Sequence, residues 1–191
     1  KYDGVILHNE YLIDQASNTL QYEYSLGRIR YVVLNPSTQW LTTLNLKVGN
    51  GNLTEAYVYI VYPDGKRKKF DIEDFKIDGE GKETTYKLAY PEIVKGTIIE
   101  ESYEIERRLS PSVNNSALLQ FSIPCESNLF QCGYHAIWKM QLKTDSTELQ
   151  GLSVEDDEDN NKQVIKYRGY NIPAYVDEPY SSLQQENMRK I

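Results

Sequence analysis

The chain has 191 residues and a mass of 22.1 kDa, long enough to bury a continuous hydrophobic core without disulfide or metal staples. A formal net charge of -7 would repel a phosphate backbone, and the basic run KRKK at 66–69 is too short to reverse that, so nucleic acid is excluded as a partner. No stretch supplies the ~20 consecutive apolar residues of a membrane-spanning helix, and the chain opens on YDGVILHNEYLI with no leader-like segment, so an export signal would have to precede residue 1.

Apolar and polar residues alternate from the first residues onward. Period-two runs occur at 5–13 (VILHNEYLI), 20–34 (LQYEYSLGRIRYVVL), 41–48 (LTTLNLKV), 55–62 (EAYVYIVY), 69–77 (KFDIEDFKI) and 97–109 (TIIEESYEIERRL). They continue at 117–123 (ALLQFSI), 134–143 (YHAIWKMQLK), 149–154 (LQGLSV) and 163–170 (QVIKYRGY). About ten strands at short spacing, rich in tyrosine and β-branched residues, predict an all-β antiparallel sandwich of immunoglobulin-like type with very little helix.

The turn chemistry agrees. Pro63, Asp64 and Gly65 offer a fixed φ, a side-chain acceptor and a position tolerant of positive φ, which predicts a tight hairpin between the fourth and fifth runs. QASN and DDEDNN read as two longer hairpin tips, and NPSTQWL at 35–41 as one short helical turn with Asn35 as N-cap and Pro36 at the first helical position. With no linker-like break in the interior, residues 1–172 read as one domain and 173–191 as an extended tail or linker. In TIIEESYEIER, Ile98, Glu100, Ser102, Glu104 and Glu106 share a face that must be wet, while Ile99, Glu101, Tyr103 and Ile105 share a face directed to the core.

Three groups of residues invite a chemical reading. Cys132 and His135 suggest a thiol nucleophile and its base, but with the strand starting just after Cys132, the alternation points them to opposite faces. Bringing them together would need irregular backbone at Gly133. A small buried thiol and a partly exposed histidine are the simpler reading. Cys125 and Cys132, seven positions apart, fit no zinc spacing; a disulfide between them is open at this stage. The acidic stretch EDDEDNN at 155–161 lacks the central glycine and distal glutamate of a dedicated calcium loop and reads as a solvated tip. Asn52 and Asn114 head N-x-Ser/Thr sequons, which decide nothing without a secretory context.

Tyr57 and Tyr59 share one face of their strand while Val58, Ile60 and Tyr62 share the other. They are the candidate ligand or partner surface, since tyrosine rings flanked by polar groups can hold a sugar or a protein. No Ser/His/Asp set, glycine-rich phosphate loop or metal-ligand cluster is present in the sequence, and no cofactor is implied.

The segments YDGVILHNEYLID, YIVYPDGKRKKF, YPEIVKGTIIEESYEIE and YNIPAYVDEP occur in that order along the chain, with the most specific motif at 91–103, a proline and a glycine framing a turn into a strand that carries an inward tyrosine. In this order the chain resembles the uncharacterised N-terminal β-domain that precedes transglutaminase-like domains in bacterial envelope proteins. The resemblance covers nearly the whole chain, loosely over 110–160. It implies a non-catalytic structural or binding module, periplasmic or at the cell surface, whose partner is the transglutaminase-like domain downstream in the same polypeptide, with a protein or glycan as a further ligand. The rival readings are a carbohydrate-binding module using Tyr57 and Tyr59, and a thiol enzyme using Cys132 and His135.

Overall fold

The structure is a computed structural model that describes residues 2–15, 21–81, 84–109, 119–137, 150–157 and 161–175. Among these residues the strands are β1 (Gly4–Asp14), β2 (Tyr22–Val33), β3 (Thr43–Lys47), β4 (Asn52–Val61), β5 (Arg67–Asp71), β6 (Lys76–Asp78), β7 (Thr85–Ala89), β8 (Ile98–Arg108), β9 (Cys125–His135), β10 (Leu152–Asp157) and β11 (Lys162–Ile172). Eight form one sheet in the order β10-β11-β9-β1-β2-β8-β4-β5, and three form a second in the order β3-β7-β6. No helix of the described residues is long and apolar enough to cross a membrane.

The two sheets face each other as an unequal sandwich. Leu44 and Leu46 of β3 and Leu88 of β7 pack with Tyr31, Val33, Val58, Ile60 and Ile99 of the large sheet, and this shared apolar cluster is the main core. A second cluster, Ile13, Leu119, Phe130, Cys132, Tyr134, Ile165 and Tyr167, lies on the same side of the large sheet toward β11. The core-facing side of β8 is as expected, with Ile99 and Ile105 buried; on the side expected to be wet, Ser102 is buried and the others are only half-exposed. The carboxyl of Glu101 accepts hydrogen bonds from the Tyr31 hydroxyl at 2.8 Å and the Tyr90 hydroxyl at 2.6 Å. Tyr90 follows β7, so this carboxyl ties the two sheets together across the core.

The all-β sandwich is as the alternation predicts, but several details differ. One pair in the large sheet is parallel, β1 with β9, so the sheet is mixed and not purely antiparallel. Partners joined by hairpins must be antiparallel, whereas β1 and β9 are separated by most of the chain and nothing local fixes their direction. The run at 69–77 is broken: Asp71 and Asp74 cap each other's backbone around a 3₁₀ turn at Ile72–Asp74, ending β5 in the large sheet and sending the chain into β6 of the small one. Residues 119–123 form no strand, and β7 was not among the expected runs; the strand expected at 134–143 instead runs from Cys125 to His135, with Ala136 and Ile137 in a turn, while residues 117–118 and 138–143 of the expected runs lie outside the described residues. The short turn expected at 35–41 is a 3₁₀ turn at Gln39–Leu41 with Thr38, not Asn35, at its N-cap.

The Pro63–Asp64–Gly65 turn forms as expected, with Gly65 at φ 85° and the Tyr62 and Lys66 backbones bonded at 2.9 Å. Within the stretch 173–191, Ala174 is buried and the Tyr175 amide donates to Phe121, so the segment is packed as far as Tyr175; residues 176–191, Asn114 and most of the QASN tip lie outside the described residues.

Candidate functional site

Strand β9 decides the cysteine–histidine question. Gly133 keeps unbroken register with Asp14 of β1 and Val164 of β11, so the backbone between Cys132 and His135 is regular and the two side chains stay on opposite faces. Contrary to the expectation that it precedes the strand, Cys132 lies inside β9, buried in the second apolar cluster. Burial, with the carboxylates of Glu23 and Asp14 adding to it, pushes its thiol up to about 12. The His135 ring, partly exposed, accepts from the Ile137 amide at 3.3 Å, and its other nitrogen lies 3.3 Å from the Asn161 side-chain amide. Nothing here activates a nucleophile, because the thiolate is the reactive form and the surroundings disfavour it.

The disulfide question closes the same way. Both cysteines are free and buried, and both lie in β9. Seven residues of extended strand separate them by about 23 Å, whereas a disulfide needs Cα atoms within about 7 Å. The thiol of Cys125, pushed up to about 11 mainly by burial, donates to the Ser127 carbonyl at 3.3 Å.

Tyr57 and Tyr59 occupy the outer face of the large sheet, behind which Val58 and Ile60 are fully buried. Their rings meet edge to face with centroids 5.2 Å apart, and the Lys69 ammonium, itself paired with Asp71 at 2.6 Å, sits 5.7 Å from the Tyr59 ring. In register beside them stand Ser102 and Glu100 of β8, then Arg28 and Arg30 of β2. This face is therefore charged around the two rings. The strands flanking the acidic stretch pair as β10 and β11, with Glu155 paired to Lys166 and Asp156 accepting from Gln163; residues 158–160 of the stretch lie outside the described residues.

The inner face of the large sheet carries a feature that the alternation did not single out. Between the two apolar clusters lies a cavity of about 290 Å³, lined by Asn9, Tyr11, Gly27, Tyr103, Phe121 and Phe130 among others. Its floor is two cross-strand rows. One runs Tyr103, Gly27, Tyr11, Phe130, Tyr167 over β8, β2, β1, β9 and β11; the other runs Glu101, Ile29, Asn9, Asn128, Gly169 over the same strands.

Each element of this floor has a sequence cause. A bulge at Leu7 shifts β1 by one residue, so Ile6 and then Asn9, Tyr11 and Ile13 face inward. The parallel β1–β9 pair sets Asn9 directly against Asn128, whose side chain is almost fully buried. The Asn9 amide donates to the Asn128 carbonyl oxygen at 2.8 Å, and the Asn128 amide donates to the Leu119 carbonyl at 3.4 Å. Gly27 leaves a gap in the first row, and the Tyr103 ring lies across it. Burial, and then Tyr11 and Glu101, push the Tyr103 hydroxyl up to about 12, so it stays a neutral hydrogen-bonding group. The expectation of an inward tyrosine at 103 is met; no short-range signal pointed to Asn9 or Asn128, because they pair across 119 positions.

No protein-family model matches this chain, and no curated protein matches it. In fold it is similar to a solved structure from Parabacteroides distasonis described as a "putative protease", with a TM-score of 0.76 and 10% sequence identity over 98% of this chain and 39% of that one. At that identity the likeness is one of fold alone, and the chain spans well under half the length of the solved protein it matches.

Proposed function

We propose that this chain is a non-catalytic structural or binding module of a longer exported protein, positioning a transglutaminase-like domain in the same polypeptide and engaging protein or glycan at the cell envelope. The observation that carries this reading is the extent of the fold likeness: nearly all of this chain corresponds to only 39% of the solved chain. In such an arrangement the hydrolytic chemistry suggested by the name of that solved protein belongs to the remainder of the longer chain. The separation of Cys132 from His135 and the raised pKa of the buried thiol favour the same conclusion. Tyr57 and Tyr59, backed by a rigid buried face, are the proposed partner surface, where aromatic anchors hold a protein or a sugar chain.

The test is hydrolysis by the purified chain. Peptide and amide substrates should be turned over no faster in its presence than in buffer. Activity that disappears in Cys132→Ala would overturn the reading.

A further inference from the structure

The inner-face cavity combines aromatic walls with uncharged hydrogen-bonding groups. Asn9, Tyr11, Tyr103 and Phe121 are all partly exposed, so the space is open to solvent. Asn128 is fully committed, its carbonyl oxygen to Asn9 and its amide to Leu119, and it holds the Asn9 amide in one orientation. That leaves the Asn9 carbonyl oxygen, its second N–H and the hydroxyls of Tyr11 and Tyr103 with no hydrogen-bond partner among the described residues. The Tyr11 and Phe130 rings stand side by side, 6.3 Å between centroids and tilted by 35°. The nearest charged pair, Arg28 with Glu10 at 3.1 Å, alternates with Asn9, Tyr11 and Gly27 along the strands and so belongs to the outer face of the sheet, not to the cavity.

We propose that this cavity binds a single neutral pyranose ring, seated with a C–H face on the partly exposed Tyr11 ring, which buried Phe130 backs, and with adjacent hydroxyls bonded to the Asn9 amide and the phenols of Tyr11 and Tyr103. The chemistry of the lining selects the class. Adjacent sugar hydroxyls need one acceptor and one donor close together, which a fixed primary amide supplies at once. The slightly positive axial C–H groups of a pyranose match the negative face of an aromatic ring. An ionic ligand would find no uncompensated charge, and a wholly apolar one would strand the amide and the hydroxyls. At about 290 Å³ the volume sits at the small end of ligand cavities and fits one ring, not a stretch of chain.

The inference goes beyond the module reading and stands apart from it: the site lies on the face opposite Tyr57 and Tyr59 and calls on neither of them nor on Cys132.

The experiment is ligand-observed saturation-transfer NMR on the full 191-residue chain with methyl glucoside and N-acetylglucosamine at concentrations up to ~10 mM. Transfer to the ring protons of at least one sugar is expected, with a millimolar dissociation constant. Tyr103→Phe, which removes only an oxygen and keeps the ring, should weaken binding about fivefold, in line with one lost hydrogen bond. Asn9→Ala should weaken it further, and Tyr59→Ala should leave it unchanged. Because Asn9→Ala also removes a partner from buried Asn128, Tyr103→Phe is the deciding variant. No transfer from either sugar overturns the inference, and so does binding that survives Tyr103→Phe intact or is lost in Tyr59→Ala. Sugar binding together with Cys132-dependent hydrolysis would keep this site and remove the non-catalytic reading; the opposite pair of results would do the reverse.

Discussion

Tyr103 lies directly across Gly27: a Cβ built on that glycine would stand 2.2 Å from the ring carbon Cζ and 2.4 Å from the phenol oxygen. The two residues are partners in the β2–β8 register, so the ring of one strand occupies the side-chain space of the other. Gly27 is therefore required by its neighbour, not by its backbone.

Gly27→Ala is accordingly expected to destabilise the protein by about 1–3 kcal/mol through forced displacement of the ring. A double-mutant cycle with Tyr103→Ala, read from urea melts, should show strong non-additivity, since with the ring gone the extra methyl meets open space. Additive effects would mean that the ring does not occupy the glycine's space.

The Tyr31–Glu101–Tyr90 group gives a second expectation. Burial raises the Glu101 pKa while the two phenol donors lower it, and the net direction is upward. A carboxyl with a raised folded pKa binds its proton more tightly when folded, so its stabilising contribution is complete below the ordinary carboxylate range and is lost as pH rises through the raised value. Glu101→Gln keeps an acceptor for both phenols and cannot ionise. The difference in urea midpoint between the wild type and this variant should therefore move in favour of the wild type as pH falls from neutrality toward 4. Tyr31→Phe removes one donor and should cost about 1–3 kcal/mol.

For Cys132 the expectation is inertness. With its pKa pushed up to about 12, the thiol should react with iodoacetamide at neutral pH far more slowly than a model thiol and reach the ordinary rate only in urea. Cys125, raised to about 11, should behave alike, and mass spectrometry should find no Cys125–Cys132 bridge under oxidising conditions. Fast labelling in the native protein would contradict the placement of both thiols.

On the outer face, Lys162 crosses Gly133 to reach Asp14 at 3.0 Å; a Cβ on that glycine would stand 2.3 Å from the lysine Cε. Exposed ion pairs contribute about 0–1 kcal/mol, so Lys162→Met, which keeps the aliphatic stem over the glycine, should change the melting temperature little and weaken the salt dependence of stability. Gly133→Ala would meet only the far end of this flexible side chain, which can swing aside, so it too should cost little. A large loss of stability in either variant would contradict this placement of the lysine over the glycine.

Alternation in the sequence was enough to place the strands that carry one wet and one buried face: β4, β8 and β11 stand where the pattern puts them, and so do Tyr57 and Tyr59. It was not enough where local and distant forces compete. Residues 69–77 alternate throughout, yet the reciprocal Asp71–Asp74 cap breaks the strand, an effect of two side chains that period-two counting ignores. β9 has a glycine and two cysteines where a strand usually carries β-branched residues, so its early start was not visible. The cavity was least legible. It depends on a one-residue bulge at Leu7 and on a parallel pairing, neither of which leaves a signal within a short window.

The β1–β9 pair also bears on the order of events as the chain folds. Hairpins such as β4–β5 can close within a few residues of one another, but Asn9 must wait for a partner 119 positions later. Non-local pairings of this kind carry the loop-closure entropy that slows β proteins. One wall of the cavity exists as soon as β1 and β2 meet, while the other arrives only when the last third of the polypeptide docks. Until then β1 presents an unsatisfied edge, which makes the interval before β9 docks the one in which this chain is most open to pairing with a neighbour.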